Sequence, residues 1–510
     1  MRDACCVHNR GVKLDHPVFD YSCLIGQFVV SAAENRAPSP WISDRVGDWF
    51  LGRHPALPVI QLLAAEGRPL GWMLGYPISE DGRLLSNGET LKLPVQTLAS
   101  TEALEAFIYS FGGRFAVAVL DPRQPRFYLD SYGSLSAVYC AHQRMVASTP
   151  NLIPYDEHSG DRVELIKAIG FPYRQGSYPL GLTPRYAVER ILPNHYLDLS
   201  DFRTVRHWPR QPLAEGAPVA EAVAEIATLV KRNIAAVVAN TPTYLRLTAG
   251  QDSRMLLACA RGVADRLELI TAEIGDDLSS MDCDIAKRIA RRLGLKHHVL
   301  PMKTATESDL QEWLFRVSNS VGQVRGWQSA TTFKSLAGGH ANLLGIGGEL
   351  ARGYWWQDDY TGTTAIGPQR LIELCNCPVM KEPLARARAW LETVPAGNTF
   401  QTLDLFMVEQ DCGCWAGVFP YADADSGFML FPLCHRPILE RMLTLPVSYR
   451  RSGRLPRDII AREWPALLEW PMNQPTGLMS LRFRLNRAIS KCARLLRLAR
   501  EGAMGAIANP

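Results

Sequence analysis

The sequence predicts an α/β protein in two parts: a strand-rich N-terminal part, then a parallel sheet with helices on both faces. Three observations predict it. Short strand-type segments separated by turns fill the first 200 residues, the hydrophobic period turns helical near residue 218, and strand-like and helix-like segments then alternate.

The N-terminal strands are read at 25–32 (IGQFVVSA), 114–121 (RFAVAVLD), 126–132 (RFYLDSY) and 195–201 (HYLDLSD), separated by turns rich in Gly, Pro, Asp and Asn. A helix over 222–240 carries apolar residues at helical spacing and stops at Asn240-Thr241-Pro242. Then come strand 243–248, helix 252–263, strand 267–274, helix 282–293 and strand 297–302. Alternation of this kind builds parallel strands joined by right-handed crossovers. The expected domains are 1–205 and 218–510, with RHWPRQPLAEGA, 206–217, as the linker. No internal repeat is visible.

The chain has 510 residues, a hydrophobic fraction of 47%, a charged fraction of 21% and a net charge of +4. These values describe a globular protein and give no argument for nucleic acid as a partner. No apolar run reaches transmembrane length, and the N-terminus lacks an apolar signal core, so a cytoplasmic location is expected. The twelve cysteines are scattered apart from Cys5–Cys6, Cys375–Cys377 and Cys412–Cys414, without metal-ligand spacing, and read as reduced packing thiols.

The chemistry centres on TAGQDSR, Thr248 to Arg254. An extended segment enters a small, polar, glycine-containing turn, and a helix starts at once. Such a turn aims backbone N–H groups and a helix N-terminus at one point, which suits phosphate. Thr248, Ala249, Gly250, Gln251, Asp252 and Ser253 are the candidate contacts. Ser253 can cap the helix or donate to a phosphate oxygen. This turn resembles the pyrophosphate loop of the N-type ATP pyrophosphatases, Ser-Gly-Gly-x-Asp-Ser, with Thr248 and Ala249 replacing its first Ser and Gly.

Three further segments fit the same family in order. Segment 281–300, whose helix ends at Gly294, holds Ala286-x-x-Ile289-Ala290-x-x-Leu293-Gly294-x-x-His297-His298, similar to the matching helix of the asparagine synthetases. LLGIGGELARGYWW, 343–356, resembles their second phosphate-side loop: Glu349, Gly353 and Tyr354 align, and Gly348 stands where an Asp is usual. Gly345, Gly347 and Gly348 would let the backbone approach a ligand closely. Segments 112–140 and 190–201 resemble the class II glutamine amidotransferase domain that precedes the synthetase domain.

The resemblance implies an Ntn-type αββα sandwich, then a doubly wound, adenine nucleotide α-hydrolase-like ATP pyrophosphatase domain. It implies an ATP- and Mg²⁺-dependent ligase that adenylates a carboxylate, releases pyrophosphate and passes the acyl group to an amine or ammonia. Asp252 and Glu349 would hold the metal. Glu349 could instead hold a tyrosine, Tyr354 being nearest in sequence, as the base that deprotonates the amine. Relatives such as the β-lactam synthetases and lasso-peptide cyclases use an amine of the substrate itself. A small-molecule or peptide carboxylate is the expected substrate, and a homodimer is allowed. Asparagine synthesis from aspartate is the alternative chemistry, and a non-catalytic nucleotide-binding or scaffold relative the alternative class. Thiolation of RNA would need a catalytic cysteine pair and a basic surface, and neither is evident.

Departures from the family are specific. Its glutaminase nucleophile is a cysteine directly after the initiator methionine; here Arg2 holds that position, Cys5 and Cys6 follow, and Cys23 is internal. A dead glutaminase is expected, and Asn87-Gly88-Glu89 reads as an ordinary turn. No lysine occurs between 440 and 490 to steady a pentacovalent phosphate. Arg450, within Leu445-Pro446-x-x-Tyr449-Arg450, is the chosen substitute, ahead of Arg451, Arg457 and Arg462. The stretch 481–500 reads as a basic amphipathic helix, packed on the domain or touching a membrane or acidic partner.

Overall fold

The computed structural model describes residues 19–474 apart from 337 and 396, so Arg2, Cys5, Cys6 and the 481–500 segment lie outside the described residues. Two sheets form from the N-terminal part. Strands Phe28–Ala32, Trp49–Arg53, Val138–Cys140 and Met145–Ala147 belong to an antiparallel six-stranded sheet. Strands Val59–Ala64, Pro69–Ile78, Gly112–Val119, Arg126–Leu129 and His195–Asp198 belong to a seven-stranded one.

Alternation along the strands decides how they pack. Ala116 and Ala118 face inward with Trp72, Leu74, Phe127 and Leu129, against Phe28, Val30 and Leu51 of the other sheet. Phe115 and Val117 face outward and are covered by Leu104 and Ile108 of helix Thr101–Tyr109. The outer face of the six-stranded sheet, with Val29, Val138 and Met145, meets Trp41 and Phe315, the latter from helix Glu307–Val317.

The second part holds a five-stranded parallel sheet, as expected. In chain order its strands are Thr243–Arg246, Leu267–Ala272, His297–Leu300, Ala341–Leu343 and Phe428–Leu430, arranged 3-2-1-4-5. Leu245, Leu247, Leu269 and Leu343 pack on one face, together with helices Val219–Asn240, Gln251–Cys259 and Asp277–Leu293. Tyr244, Ile270 and Ala272 pack on the other with Phe333, from helix Gly326–Phe333. Helix Asp277–Leu293 begins five residues before its expected start, because Asp276 and Ser279 form a capping box there. The stretch 206–217 begins as packed chain: His207 and Trp208 are buried, and Trp208 Nε1 donates to Glu440 at 2.9 Å.

Candidate functional site

In the 3-2-1-4-5 order, the connection after Thr243–Arg246 runs to one side of the sheet and the connection after Ala341–Leu343 to the other. A crevice therefore opens beyond the C-terminal ends of Thr243–Arg246 and Ala341–Leu343. The segments that follow these two strands are 248–254 and 344–349. They touch: a Cβ on Gly345 would lie 2.9 Å from Asp252 Cβ, and one on Gly348 2.2 Å from Asp252 Oδ1. Glycine is needed at both for the loops to close. Gly347 has φ +97° and faces Tyr132 of the N-terminal part, where a Cβ would meet the phenol oxygen at 2.6 Å.

The first loop is braced from within. Ser253 Oγ accepts the Thr248 N–H at 3.1 Å and lies 2.9 Å from Thr248 Oγ1, which accepts the Gly250 N–H at 3.1 Å. Asp282 Oδ1 accepts the Ala249 N–H at 2.8 Å, and burial pushes the Asp282 carboxyl up to about 6. The helix from Gln251 has Gly250 at its N-cap and no side-chain cap, so its first-turn N–H groups remain for another acceptor. Arg254 is buried and donates to the carbonyls of Ala249, Trp470 and Pro471 at 3.1, 2.7 and 3.1 Å, tying the 470s to the loop. The Asn473 N–H reaches Ala249 O at 3.0 Å.

Asp252 is bound by Arg352, Nη1 to Oδ1 at 2.5 Å and Nη2 to Oδ2 at 3.0 Å. Arg352 Nη2 is also 3.8 Å from Glu349 Oε1. Glu349 lies in the 3₁₀ turn Gly348–Arg352 and accepts the Gly347 N–H at 3.2 Å. Burial and the nearby Asp252 raise its pKa, and Arg352 opposes them.

Two cavities meet at this loop. One, of about 360 Å³, has Thr248, Asp252 and Ser253 at one end and Ile270, Ala272 and Phe333 along its wall. The other, of about 280 Å³, is lined by Tyr354, Trp355, Trp415, Gln410 and Asp411. Ile346 and Glu349 border both. Of the candidate loop contacts, Thr248, Asp252, Ser253 and Gly345 line the larger cavity and Gly347 the smaller, whereas Ala249, Gly250, Gln251 and Gly348 line neither. Tyr354 stands at the second cavity, its ring edge-on to Trp355 at 4.9 Å.

Arg450 is the exception. It is fully buried and donates to Asp404 Oδ2 and Oδ1 at 2.6 and 2.7 Å and to Leu350 O at 2.6 Å. Its guanidinium lies 4.5 Å from the Trp356 ring, and it borders neither cavity. Its donors hold the fold behind the loop, so the expectation of a cation facing phosphate is corrected. Arg451, Arg457 and Arg462 are exposed. Asn87 accepts the Val59 N–H at 3.0 Å within a turn, and Cys23 packs with Ala37 and Phe315; neither borders the crevice cavities.

Asp411 is a residue that sequence reasoning missed. It sits on the π-helix Met407–Ala416, takes a hydrogen bond from Trp355 Nε1 at 2.7 Å, and is pushed up to about 7, chiefly by burial. On the same π-helix Glu409 is fully buried. It accepts from Arg206 Nη2 at 2.8 Å, Asn194 Nδ2 at 2.9 Å and Trp390 Nε1 at 2.6 Å. A π-turn aims successive residues differently from an α-turn and often marks a working site.

The larger cavity carries four acids, Asp252, Asp276, Asp282 and Glu349, and one base, Arg246, which is paired to Asp423 at 3.1 Å. A polyanion enters such a cavity only with cations. Among the described residues no group of three or more His, Cys, Asp or Glu forms a metal site. Asp252 and Glu349 are the carboxylates where the two loops meet, and a cation held by them would need further oxygen ligands from whatever binds with it. No family model matches the chain, and no curated protein matches it.

Proposed function

We propose that the chain is an asparagine-synthetase-like, ATP-dependent amide-forming ligase, its strand-rich part an Ntn-type sandwich and its parallel sheet an ATP pyrophosphatase fold. The observation that carries this reading is the pair of cavities meeting at Glu349, beyond the switch point of the parallel sheet. A nucleotide fits the larger one, its base along Ile270, Ala272 and Phe333 and its phosphates at Thr248, Ser253 and the uncapped helix start. Bound Mg²⁺ would neutralise charge on the leaving pyrophosphate.

A substrate carboxylate oxygen bonds to the α-phosphorus, and the bond to the pyrophosphate oxygen breaks. The amine nitrogen then bonds to the acyl carbon, gives up a proton, and AMP leaves with the carbon–oxygen electron pair. Asp411, with a pKa of about 7, is poised to take that proton at neutral pH. The smaller cavity has two acids, Glu349 and Asp411, and no Lys, Arg or His among its lining residues. That favours an amine-bearing acceptor with an apolar body over aspartate, whose second carboxylate would find no cation.

The second reading is a nucleotide-binding relative without catalysis. It is favoured by the neutralised Asp252 and by loop N–H groups already bonded to Ser253, Asp282 and Thr248. Exchange of labelled pyrophosphate into ATP, across a panel of amino-substituted carboxylates, separates the two. The ligase reading expects exchange that depends on Mg²⁺ and on one class of acid. Nucleotide binding with no exchange for any acid supports the second.

A further inference from the structure

We propose that a third cavity, between the N-terminal sheets and helix Lys381–Thr393, binds a small oxyanion, a carboxylate or phosphate group held by Arg190. The cavity measures about 130 Å³ and is lined by Arg190, Arg386, His195, Tyr139, Thr204 and Trp390 among others. None of its lining residues borders either crevice cavity.

Arg190 is 4% exposed, yet its one hydrogen-bond partner among the described residues is Ser136 Oγ, reached by Nη1. Three arginines with buried guanidinium groups show what matching looks like: Arg450 meets Asp404, Arg206 meets Glu409, and Arg185 meets the carbonyls of Pro150, Ile153 and Pro154. A guanidinium withdrawn from water needs a counter-charge or several carbonyl oxygens, and Arg190 has neither.

The neighbouring acids are engaged. Glu189 pairs with Arg386 and accepts from Tyr139 OH at 3.1 Å, and Glu409 is bonded by Arg206. His195 donates through Nδ1 to Pro193 O at 3.0 Å, and burial lowers its pKa, so it adds no charge at neutral pH. One positive charge is left over, facing a cavity. The free side of a guanidinium fork matches the two oxygens of a carboxylate or phosphate.

Calorimetric titration of the full chain with sodium acetate and with inorganic phosphate tests this, against sodium chloride at matched ionic strength. Binding heat is the right readout, because phosphate stabilises folded proteins nonspecifically. Saturable binding is expected for at least one of the two anions, and which one binds identifies the group. Arg190→Gln should weaken it about tenfold or more. Glu189→Gln removes a negative charge from the wall and should tighten it. The proposal is overturned by the absence of saturable heat with both anions, or by unchanged affinity in Arg190→Gln. Should that variant not fold, unchanged or weaker affinity in Glu189→Gln overturns it equally.

Discussion

Arg352 holds Asp252 by both arms of its guanidinium, at 2.5 and 3.0 Å, and so occupies the carboxylate that the proposed ligase reading assigns to a metal. Both side chains are about one-fifth exposed, so the pair is neither a surface contact nor a sealed core bridge. A partly buried ion pair can be exchanged for a stronger one when a divalent cation arrives with phosphate.

That relationship makes two variants move in opposite directions. Asp252→Asn should lower pyrophosphate exchange about 10²–10³-fold, the usual loss for a preorganised charge contact. Arg352→Gln removes the competitor and should shift half-saturation by Mg²⁺ to lower concentration. A shift to higher concentration in Arg352→Gln would mean that the guanidinium contacts nucleotide instead.

The pair Arg450–Asp404 gives a prediction about stability. Both members are buried, and burial raises the Asp404 pKa against the pull of Arg450. Arg450→Met leaves that carboxyl without its counter-charge, with only the Trp356 indole N–H at 3.2 Å, and breaking such a buried pair typically costs about 3–5 kcal/mol. Urea unfolding should show a lower midpoint with an unchanged slope. Pyrophosphate exchange per folded molecule should stay near the parent value. If exchange collapses while the midpoint holds, Arg450 acts at the reacting phosphate after all.

How much of this was legible depends on whether the signal was periodic. The first three parallel strands and their helices were readable, because apolar residues such as Leu245, Leu269, Ile285 and Ile289 mark buried faces at fixed spacing. The loops at 248–254 and 345–349 were readable because small residues between strand and helix serve few purposes. Asp411 was not. A π-helix has no period familiar from sequence, and two acids two residues apart, Glu409 and Asp411, serve different ends. One is locked to Arg206 and the other lines a cavity. Arg450 was misplaced because a cation near a loop in sequence says nothing of which carboxylate it meets, and Asp404 lies in another helix.

The raised pKa of Asp411 predicts a pH dependence of stability. Its carboxyl titrates at about 7 in the fold and near 4 when unfolded. Between those values the folded state holds the proton and the unfolded state has released it, so unfolding free energy falls as pH rises from about 4 to 7. The contribution is full below the lower value and lost above the upper one. Asp411→Asn should therefore gain on the parent with rising pH, by roughly 1 kcal/mol or more at pH 8, and the gap should close near pH 4. Thermal unfolding across that range checks it; a constant gap would assign the effect to packing.

Glu349 and Asp411 both face the smaller cavity, but only Glu349 also borders the larger one. The two half-reactions should separate them. Glu349→Gln removes a carboxylate beside Asp252 and Arg352, so it should slow pyrophosphate exchange and amide formation together, by about 10²–10³-fold. Asp411→Asn leaves the phosphate end untouched. It should keep exchange near the parent rate and depress amide formation by about 10²–10⁴-fold, the range for losing a general base. The parent amide-forming rate should rise with pH through about 7, and Asp411→Asn should lose that rise. Single-turnover measurements on preformed acyl-adenylate isolate the second step. Equal slowing of both steps in Asp411→Asn would instead make the residue a support for Trp355, whose indole it accepts at 2.7 Å. Normal rates in Glu349→Gln with a small loss of thermal stability would reduce that carboxylate to a helix-end charge, worth about 0.3–1 kcal/mol.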